Sequence, residues 1–377
     1  RRFLTATAAG GALGLSGCLS AIPGFGDDSV EIPALAEFRG SGTLMEGRDD
    51  PGGTSINDLD DLSGELTIYL GGGEGGLYTE LLSLLDDAYP DFTAVVDGDT
   101  STSHAQNIVE EVEAGASEAD VFWSVDAGSL GFVAENDAYD PLPADAISDV
   151  PSDYRDGDDA WVGTAGRARS VAYNTEALAE DDIPSTVQEF PTTEALQGSM
   201  GWAPTYGAFK SFVTAMRLIR TDDEAQSWLE SMAESETKRF GTEQIIANKV
   251  ADGAIDAGFV NHYYAMRVKN DPERSDPPID LAFTEGDAGA LVNVAGLLKV
   301  KGSGKDDLVE NFVRHLLSAE AQEFFATTSF AYPMIPGVDP VGGLPTIDEL
   351  NPPDIDLARL QDQQRTLEIM EQAGVSG

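Results

Sequence analysis

The run ELTIYL at Glu65–Leu70, GGGEGG at Gly71–Gly76, FTAVV at Phe92–Val96 and DVFWS at Asp120–Ser124 decides the fold. ELTIYL has the β-branched and aromatic content of a strand. Leu77, Leu81, Leu82, Leu84 and Leu85 then recur at helical spacing until Tyr89-Pro90 stops them. FTAVV reads as a second strand, His104–Ala114 as a helix, and DVFWS as a third strand ending near Asp126. This alternation predicts a largely parallel sheet with helices on both faces. Ligands of such sheets sit beyond the carboxyl ends of the strands, so Gly71–Glu74 and Ser124–Asp126 are expected to face a cleft.

A second alternating run follows. Ser170–Asn174, Met200–Ala203, Asp256–Val260, Ile279–Phe283 and Leu291–Val300 read as strands. Ala208–Arg220, Asp222–Glu234, Glu243–Ala251, a segment from Tyr263, Lys305–Leu317, Ala319–Thr327 and Asp354–Ala373 read as helices. A chain of 377 residues exceeds one simple core. The expected architecture is α/β in two lobes, each with a mainly parallel sheet. Residues 64–165 plus 290–377, with the C-terminal helices, form the first lobe and 166–289 the second. The chain crosses near Ala160–Asn174 and returns near Ala290–Val300, and two crossing strands make a hinge.

Arg1-Arg2-Phe3-Leu4 precedes a small, apolar stretch from Thr5 to Leu15. That pattern reads as an export signal, too short to span a bilayer permanently, and the paired arginines point to the twin-arginine route. Leu15-Ser16-Gly17-Cys18 resembles a lipobox, so residues 1–18 are expected to be signal and Cys18 the lipid anchor of an extracytoplasmic protein. Cys18 is the only cysteine, which excludes a disulfide within the chain and a cysteine metal cluster. Residues 19–63, rich in glycine, proline and aspartate without a sustained period, read as an acidic disordered linker.

Sixty-seven acidic against 22 basic residues give a net charge of −45. Such a charge repels nucleic acid and anionic lipid, leaving the anchor as the expected membrane contact. The acids are interleaved with periodic apolar segments, which points to a folded protein with an acid-coated surface. Proteins of halophilic archaea have such surfaces, where salt screens the self-repulsion.

The glycine run meets the G-x-G-x-x-G spacing at Gly71, Gly73 and Gly76, with Asp97 and Asp99 near the end of the second strand. So glycine-rich a run satisfies many spacings, and a cleft-lining turn is the expected role. His104, His262 and His315 lack the spacing of a zinc site. The informative segment is Gly258-Phe259-Val260-Asn261-His262-Tyr263-Tyr264, two adjacent tyrosines after the carboxyl end of a strand. The bland alternative has one tyrosine in the core and the other on the surface. Asn261 and His262 beside them are polar groups that a core does not favour. Phenolate oxygen is a hard anionic donor suited to Fe(III), and the metal itself lowers the phenolic pKa from about 10.

From about Glu65 to the C-terminal helix the sequence resembles the ferric-iron-binding periplasmic proteins of ABC importers. The likeness is carried by Leu66–Gly71, by Ala119-Asp120-Val121-Phe122 and by Trp161–Arg169, which resembles W-V-G-x-S-G-R-x-R. It is carried further by Gly201–Phe209, Asn261-His262-Tyr263-Tyr264 and Tyr332-Pro333. The resemblance implies a type II periplasmic-binding-protein fold in which Tyr206, Tyr263 and Tyr264 are iron ligands. Arg167 falls where the family has an arginine holding a synergistic anion such as carbonate, and Asn261 and the amides of Gly207 and Ala208 fall at positions used by the anion in the branch that has serine in place of the third tyrosine. The family's histidine and glutamate ligands are replaced by Gly73 and Val125, with Glu74 and Asp126 next door as possible cleft carboxylates. Glu243 stands where one branch has asparagine and would repel an anion, and Ala165 replaces a serine. The pattern is that of a three-tyrosine branch.

The expected function is capture of Fe(III) for an ABC permease and its ATPase, by a monomer that catalyses nothing. A rival within the binding class takes thiamine, a polyamine or an oxyanion. A rival of another class is a cell-surface hydrolase working through carboxylates such as Glu74 and Asp126.

Overall fold

The computed structural model describes residues 38–39, 44–72 and 75–376, the side chains of 75–77 excepted. Cys18, Gly73 and Glu74 therefore lie outside the described residues. The first run forms β1 (Gly64–Gly71), α1 (Gly75–Ala88), β2 (Phe92–Asp99), α2 (Ser101–Ala114), β3 (Val121–Ser124) and α3 (Ala127–Glu135). A short β4 (Tyr139–Asp140) and α4 (Ala144–Ile147) lead to β5 (Trp161–Asn174). The second run is β6 (Met200–Trp202), α5 (Gly207–Ile219), α6 (Asp222–Glu234), β7 (Lys238–Arg239) and α7 (Glu243–Ala251). It continues as β8 (Ala257–Asn261), α8 (His262–Lys269), β9 (Ile279–Ala282) and β10 (Val292–Val300). The chain closes with α9 (Asp306–Leu316), α10 (Ala319–Ser329), α11 (Ile347–Leu350) and α12 (Gln363–Gln372).

The strands follow one path, β2-β1-β3-β10-β5-β8-β6-β7, with β4 beside β10 and β9 beside β5. The β1–β2, β1–β3, β6–β7 and β6–β8 pairs are parallel, and the strands that join the two halves run antiparallel to their neighbours. β5 is shared. Trp161–Ala168 pairs with β10, whereas Arg169–Asn174 pairs with β8 and β9. Thr164 is an extra residue between the Gly163–Gly296 and Ala165–Ala295 pairs. Its hydroxyl accepts from Trp123 Nε1 at 3.1 Å, and its carbonyl accepts from Gln322 Nε2 on α10 at 2.9 Å. A bulge that would leave polar groups unpaired is thereby satisfied.

The helices begin where the sequence supplies caps. Thr221 accepts from the Glu224 amide and Thr242 from the Ile245 amide, so α6 and α7 start at the expected residues. The expected helix over Asp354–Ala373 is different. Asp356 caps a short 3-10 turn at Leu357–Gln361, and Asp362, at φ −69° and ψ 55°, separates that turn from α12. α12 joins α5 through Thr366 Oγ1, 2.7 Å from Thr214 Oγ1, and Arg365 binds Asp222 of α6 at 2.7 Å.

The expectation of a disordered linker up to Ser63 fails for its last part. Arg39 and Arg48 both reach Glu323 of α10, whose carboxylate is buried; Arg48 Nε donates at 2.7 Å. Glu320 accepts from Ser55 Oγ and from the Ile56 amide, both at 2.7 Å. Gly52 donates to the Gly337 carbonyl, and a Cβ on Gly337 would stand 2.9 Å from Gly52 Cα. Gly337 also has φ +86°, so glycine is required there twice over. These partners lie far along the chain, which is why local composition conceals the docking.

His315 on α9 is fully buried, its Nδ1–H donating to the Asn311 carbonyl and its Nε2 accepting from Tyr89 Oη, both at 2.8 Å. Burial holds its pKa down at about 4. The unfolded chain takes up this proton below its usual value near 6.5, so stability is intact above pH 6.5 and lost as pH falls towards 4. The full loss amounts to ~3 kcal/mol for this group. Urea unfolding of His315→Gln should show a shallower decline over that interval than wild type; equal slopes would remove His315 as the cause. Glu323→Ala should cost ~3 kcal/mol by unpairing Arg39 and Arg48. It should also open residues 44–63 to limited proteolysis, and an unchanged digestion pattern would contradict the docking.

Candidate metal centre

Two turns carry the tyrosines. Tyr206 stands at the N-terminal boundary of α5, where its extended backbone (φ −79°, ψ 139°) turns into the helix. Tyr263 and Tyr264 are the second and third residues of α8, directly after β8. These points fall beyond the carboxyl ends of parallel β6 and β8, where an α/β sheet presents its ligand groups. The hydroxyls of Tyr206 and Tyr264 meet in a hydrogen bond, with ring centroids 6.2 Å apart. The Tyr263 and Tyr264 rings lie 4.5 Å apart. Tyr263 is buried, whereas Tyr206 and Tyr264 are half-buried. Residues 58 apart in sequence thus bring two phenol oxygens to one point, with a third ring beside them.

Beneath the rings lies a polar layer. Asn261 Nδ2 donates to Tyr263 Oη at 2.9 Å, and Asn261 Oδ1 accepts from Arg169 at 3.2 Å. Arg169 also pairs with Glu243 of α7, whose second oxygen accepts the Asn261 amide at 2.7 Å. The Glu243 side chain is fully buried and that of Arg169 nearly so. The expectation that Glu243 repels an anion therefore changes: its charge is matched by Arg169 and its oxygens are engaged below the tyrosines. Arg169 Nε and its other terminal nitrogen lack hydrogen-bond partners, and the guanidinium carbon lies over the Phe212 ring, 5.4 Å from its centroid.

His262 is also a core residue. Its Nδ1 accepts from the Ala168 amide at 3.1 Å, and its Nε2–H donates to the Phe330 carbonyl at 2.5 Å. Burial lowers its pKa to about 4, so the ring is neutral at ordinary pH. Polarity at Asn261 and His262, read in the sequence as a sign of the cleft, is instead polarity that the core accommodates by pairing every group concerned.

Arg167 lies two residues before Arg169 in β5, opposite Asn293, and donates to the Val125 carbonyl from the first sheet. A small cavity of about 20 Å³, enough for one water-sized body, lies among Arg167, Tyr263, Gly166, Tyr78 and Ser329. Gly207 and Ala208 are the first residues of α5, where amides lack helical acceptors. Asp126 accepts from the amide and hydroxyl of Ser129 at 2.8 and 3.0 Å and so caps α3. Asp99 accepts from the Thr100 amide and the Ser103 hydroxyl at the start of α2. Among the described residues, no three His, Cys, Asp or Glu side chains are grouped to hold a metal.

Three participants were not singled out in the sequence: Arg169, Tyr78 and Arg267. Arg267 lies over the rings of Tyr263 and Tyr264, 4.9 and 5.6 Å from their centroids. Its spacing of four and three residues from them on one helix was the available signal. Arg169 shares a strand face with Arg167 by the two-residue alternation.

Residues 117–355 match the family model described as bacterial extracellular solute-binding protein. The major ferric iron-binding protein of Neisseria meningitidis is 28% identical over 318 residues, 82% of this chain and 93% of that protein. An Fe(3+)-binding periplasmic protein of Serratia marcescens is 25% identical over 265 residues, 70% of this chain and 78% of that protein. The structure of iron-bound HitA from Pseudomonas aeruginosa superimposes with a TM-score of 0.73 at 25% identity, covering 82% of this chain and 99% of that one.

The buried pair has a measurable consequence. Glu243→Gln leaves Arg169 charged without its counter-ion, which should cost at least ~3 kcal/mol in denaturant unfolding. A loss under ~1 kcal/mol would mean that the two side chains are solvated in solution.

Proposed function

The chain belongs to the bacterial extracellular solute-binding protein family, and from that premise we propose that it captures ferric iron through the phenolates of Tyr206, Tyr263 and Tyr264. Its relatives are iron-binding transport proteins, and it is a binding protein rather than an enzyme. The observation that carries the iron reading is the meeting of the Tyr206 and Tyr264 hydroxyls beside the Tyr263 ring. Phenols so close have a common point for one cation, and a small, highly charged, oxygen-seeking ion gains most from them. Binding releases the phenolic protons, because the ion's charge favours the anionic form.

Three phenolates balance the charge of Fe(III). Further coordination positions would be filled by an anion such as carbonate, held by Arg167 and the amides of Gly207 and Ala208 at the positive end of α5. Arg267 over the rings adds attraction for their negative charge. The two lobes, residues 64–165 with 290–377 and residues 166–289, would close by bending where β5 passes from one sheet to the other, near Ala168 and Arg169. The closed, loaded form would be recognised by an ABC permease with its ATPase. Cys18, lipidated after export, would keep the receptor at the outer face of the membrane.

Adding Fe(III) to the metal-free protein should produce a visible phenolate-to-iron charge-transfer band. Tyr206→Phe, Tyr263→Phe and Tyr264→Phe should each weaken binding at least ~100-fold, equivalent to ~2.7 kcal/mol. The melting temperature of the metal-free protein should change little in the half-buried Tyr206 and Tyr264 variants and fall in Tyr263→Phe, which unpairs the buried Asn261 amide. Absence of colour in the wild type, or full affinity in all three variants, would refute the ligand set.

A further inference from the structure

The side chain of Asn261 is in an unusual position for its residue type. Asn261 occupies the N-cap of α8, where asparagine ordinarily accepts from an amide of the first turn. Here no such bond forms. Its oxygen turns to Arg169 and its nitrogen to Tyr263 Oη. The orientation is not interchangeable: a guanidinium only donates, so the atom facing Arg169 must be Oδ1 and the atom facing Tyr263 must be Nδ2. Arg169 is itself held by Glu243, and Glu243 also fixes the Asn261 amide, so the asparagine is tied at backbone and side chain to one buried pair. Asn261 is 2% exposed and Glu243 0%, which leaves this arrangement little freedom.

We infer that Asn261 positions Tyr263 by donating to its oxygen, with the Arg169–Glu243 pair aiming the amide, and that it does not hold the synergistic anion. This rests on the phenolate reading above and departs from the anion role that the family's serine branch gives the position of Asn261. A donor at Tyr263 Oη stabilises negative charge on that oxygen and leaves its remaining lone pairs for a cation. Glu243 has the corresponding purpose. Where a neutral residue would leave the Arg169 charge unbalanced and able to attract an anion, the carboxylate neutralises it and holds the guanidinium nitrogen that also binds Asn261. Asn261, Arg169 and Glu243 are positioning residues, since none of them needs to touch the metal.

The test uses the full chain loaded with Fe(III), with and without bicarbonate, in wild type, Asn261→Ala, Tyr263→Phe and the double variant. Affinity is read by competition with citrate, the charge-transfer band by visible absorption, and folding by the melting curve of the metal-free protein. Asn261→Ala should weaken iron binding about tenfold, in the range of lost outer-shell partners. It should move the band to longer wavelength, because a phenolate without its donor holds its electrons less tightly. The ratio of affinities with and without bicarbonate should match wild type, and the double variant should bind no more weakly than Tyr263→Phe alone. Loss of the bicarbonate effect in Asn261→Ala would reassign the residue to the anion. Additive losses in the double variant would show that Asn261 acts elsewhere than through Tyr263. Wild-type affinity in Tyr263→Phe would overturn the phenolate reading and this inference together, whereas the two preceding results would leave that reading standing.

Discussion

A strand that serves two sheets cannot slip in one without disturbing the other, because its buried N–H and C=O groups must stay paired along the whole length. Trp161–Asn174 is under that constraint. Its first half is held by β10 and its second by β8 and β9, and the exchange falls between Ala168 and Arg169. The register fixes Arg167 opposite Asn293 and Arg169 opposite Asn261. Two arginines one alternation apart therefore serve different halves of the molecule. Arg167 reaches the Val125 carbonyl beyond β3, and Arg169 reaches Glu243 and Asn261 under the tyrosines. His262 adds a third tie at the same place, joining the Ala168 amide to the Phe330 carbonyl at the end of α10.

This accumulation of buried polar groups is costly unless every member finds a partner. Beneath the tyrosines most do. Glu243 and Asn261 use both side-chain polar atoms, and both ring nitrogens of His262 are engaged. The gain is rigidity. A phenol ring resting on a satisfied polar layer has fewer alternative positions than one resting on interchangeable methyl groups, and ligand geometry at a metal tolerates little drift. Arg169 is the exception, with two nitrogens unpaired and its guanidinium over the Phe212 ring. Its charge is offset by Glu243, and the aromatic face is an environment a guanidinium accepts.

Much of the fold was legible because its signals are local. Caps at Thr221 and Thr242 mark α6 and α7, alternating Leu66, Ile68 and Leu70 mark β1, and a largely apolar run marks β10. Where the sequence misled, the deciding contact was long-range. Residues 44–63 have the composition of a solvated spacer, yet Arg48 and Ser55 find Glu323 and Glu320 more than 260 positions away. α3 was missed because AGSLGFVAE is small and apolar on nearly every side and carries no clear period. At the site, the Tyr263-Tyr264 pair and its place after a strand were visible. That Asn261 and His262 face inwards was not, because polarity alone does not say whether a group meets solvent or a buried partner.

The net charge of −45 bears on selectivity in a way the site itself does not. An acidic surface raises the local concentration of every cation, so the overall field can hasten the arrival of Fe(III) without preferring it to a divalent ion. At low salt, then, the surface adds rate but no discrimination. At molar salt the screening length shrinks to about 3 Å, and even the added rate disappears. Discrimination has to come from within contact distance, where charge on the oxygens is set by neighbours too close to be screened. Tyr263 has such a neighbour in Asn261, and the phenol pair of Tyr206 and Tyr264 has Arg267 against one of its rings. A carboxylate cluster in the same cleft would also take calcium and magnesium, whose preferred ligands are carboxylate oxygens. Phenolates, if the tyrosines bind as proposed, would be less accommodating to those ions. A coat of acid and a site built on tyrosine are thus compatible, because the two act over different distances.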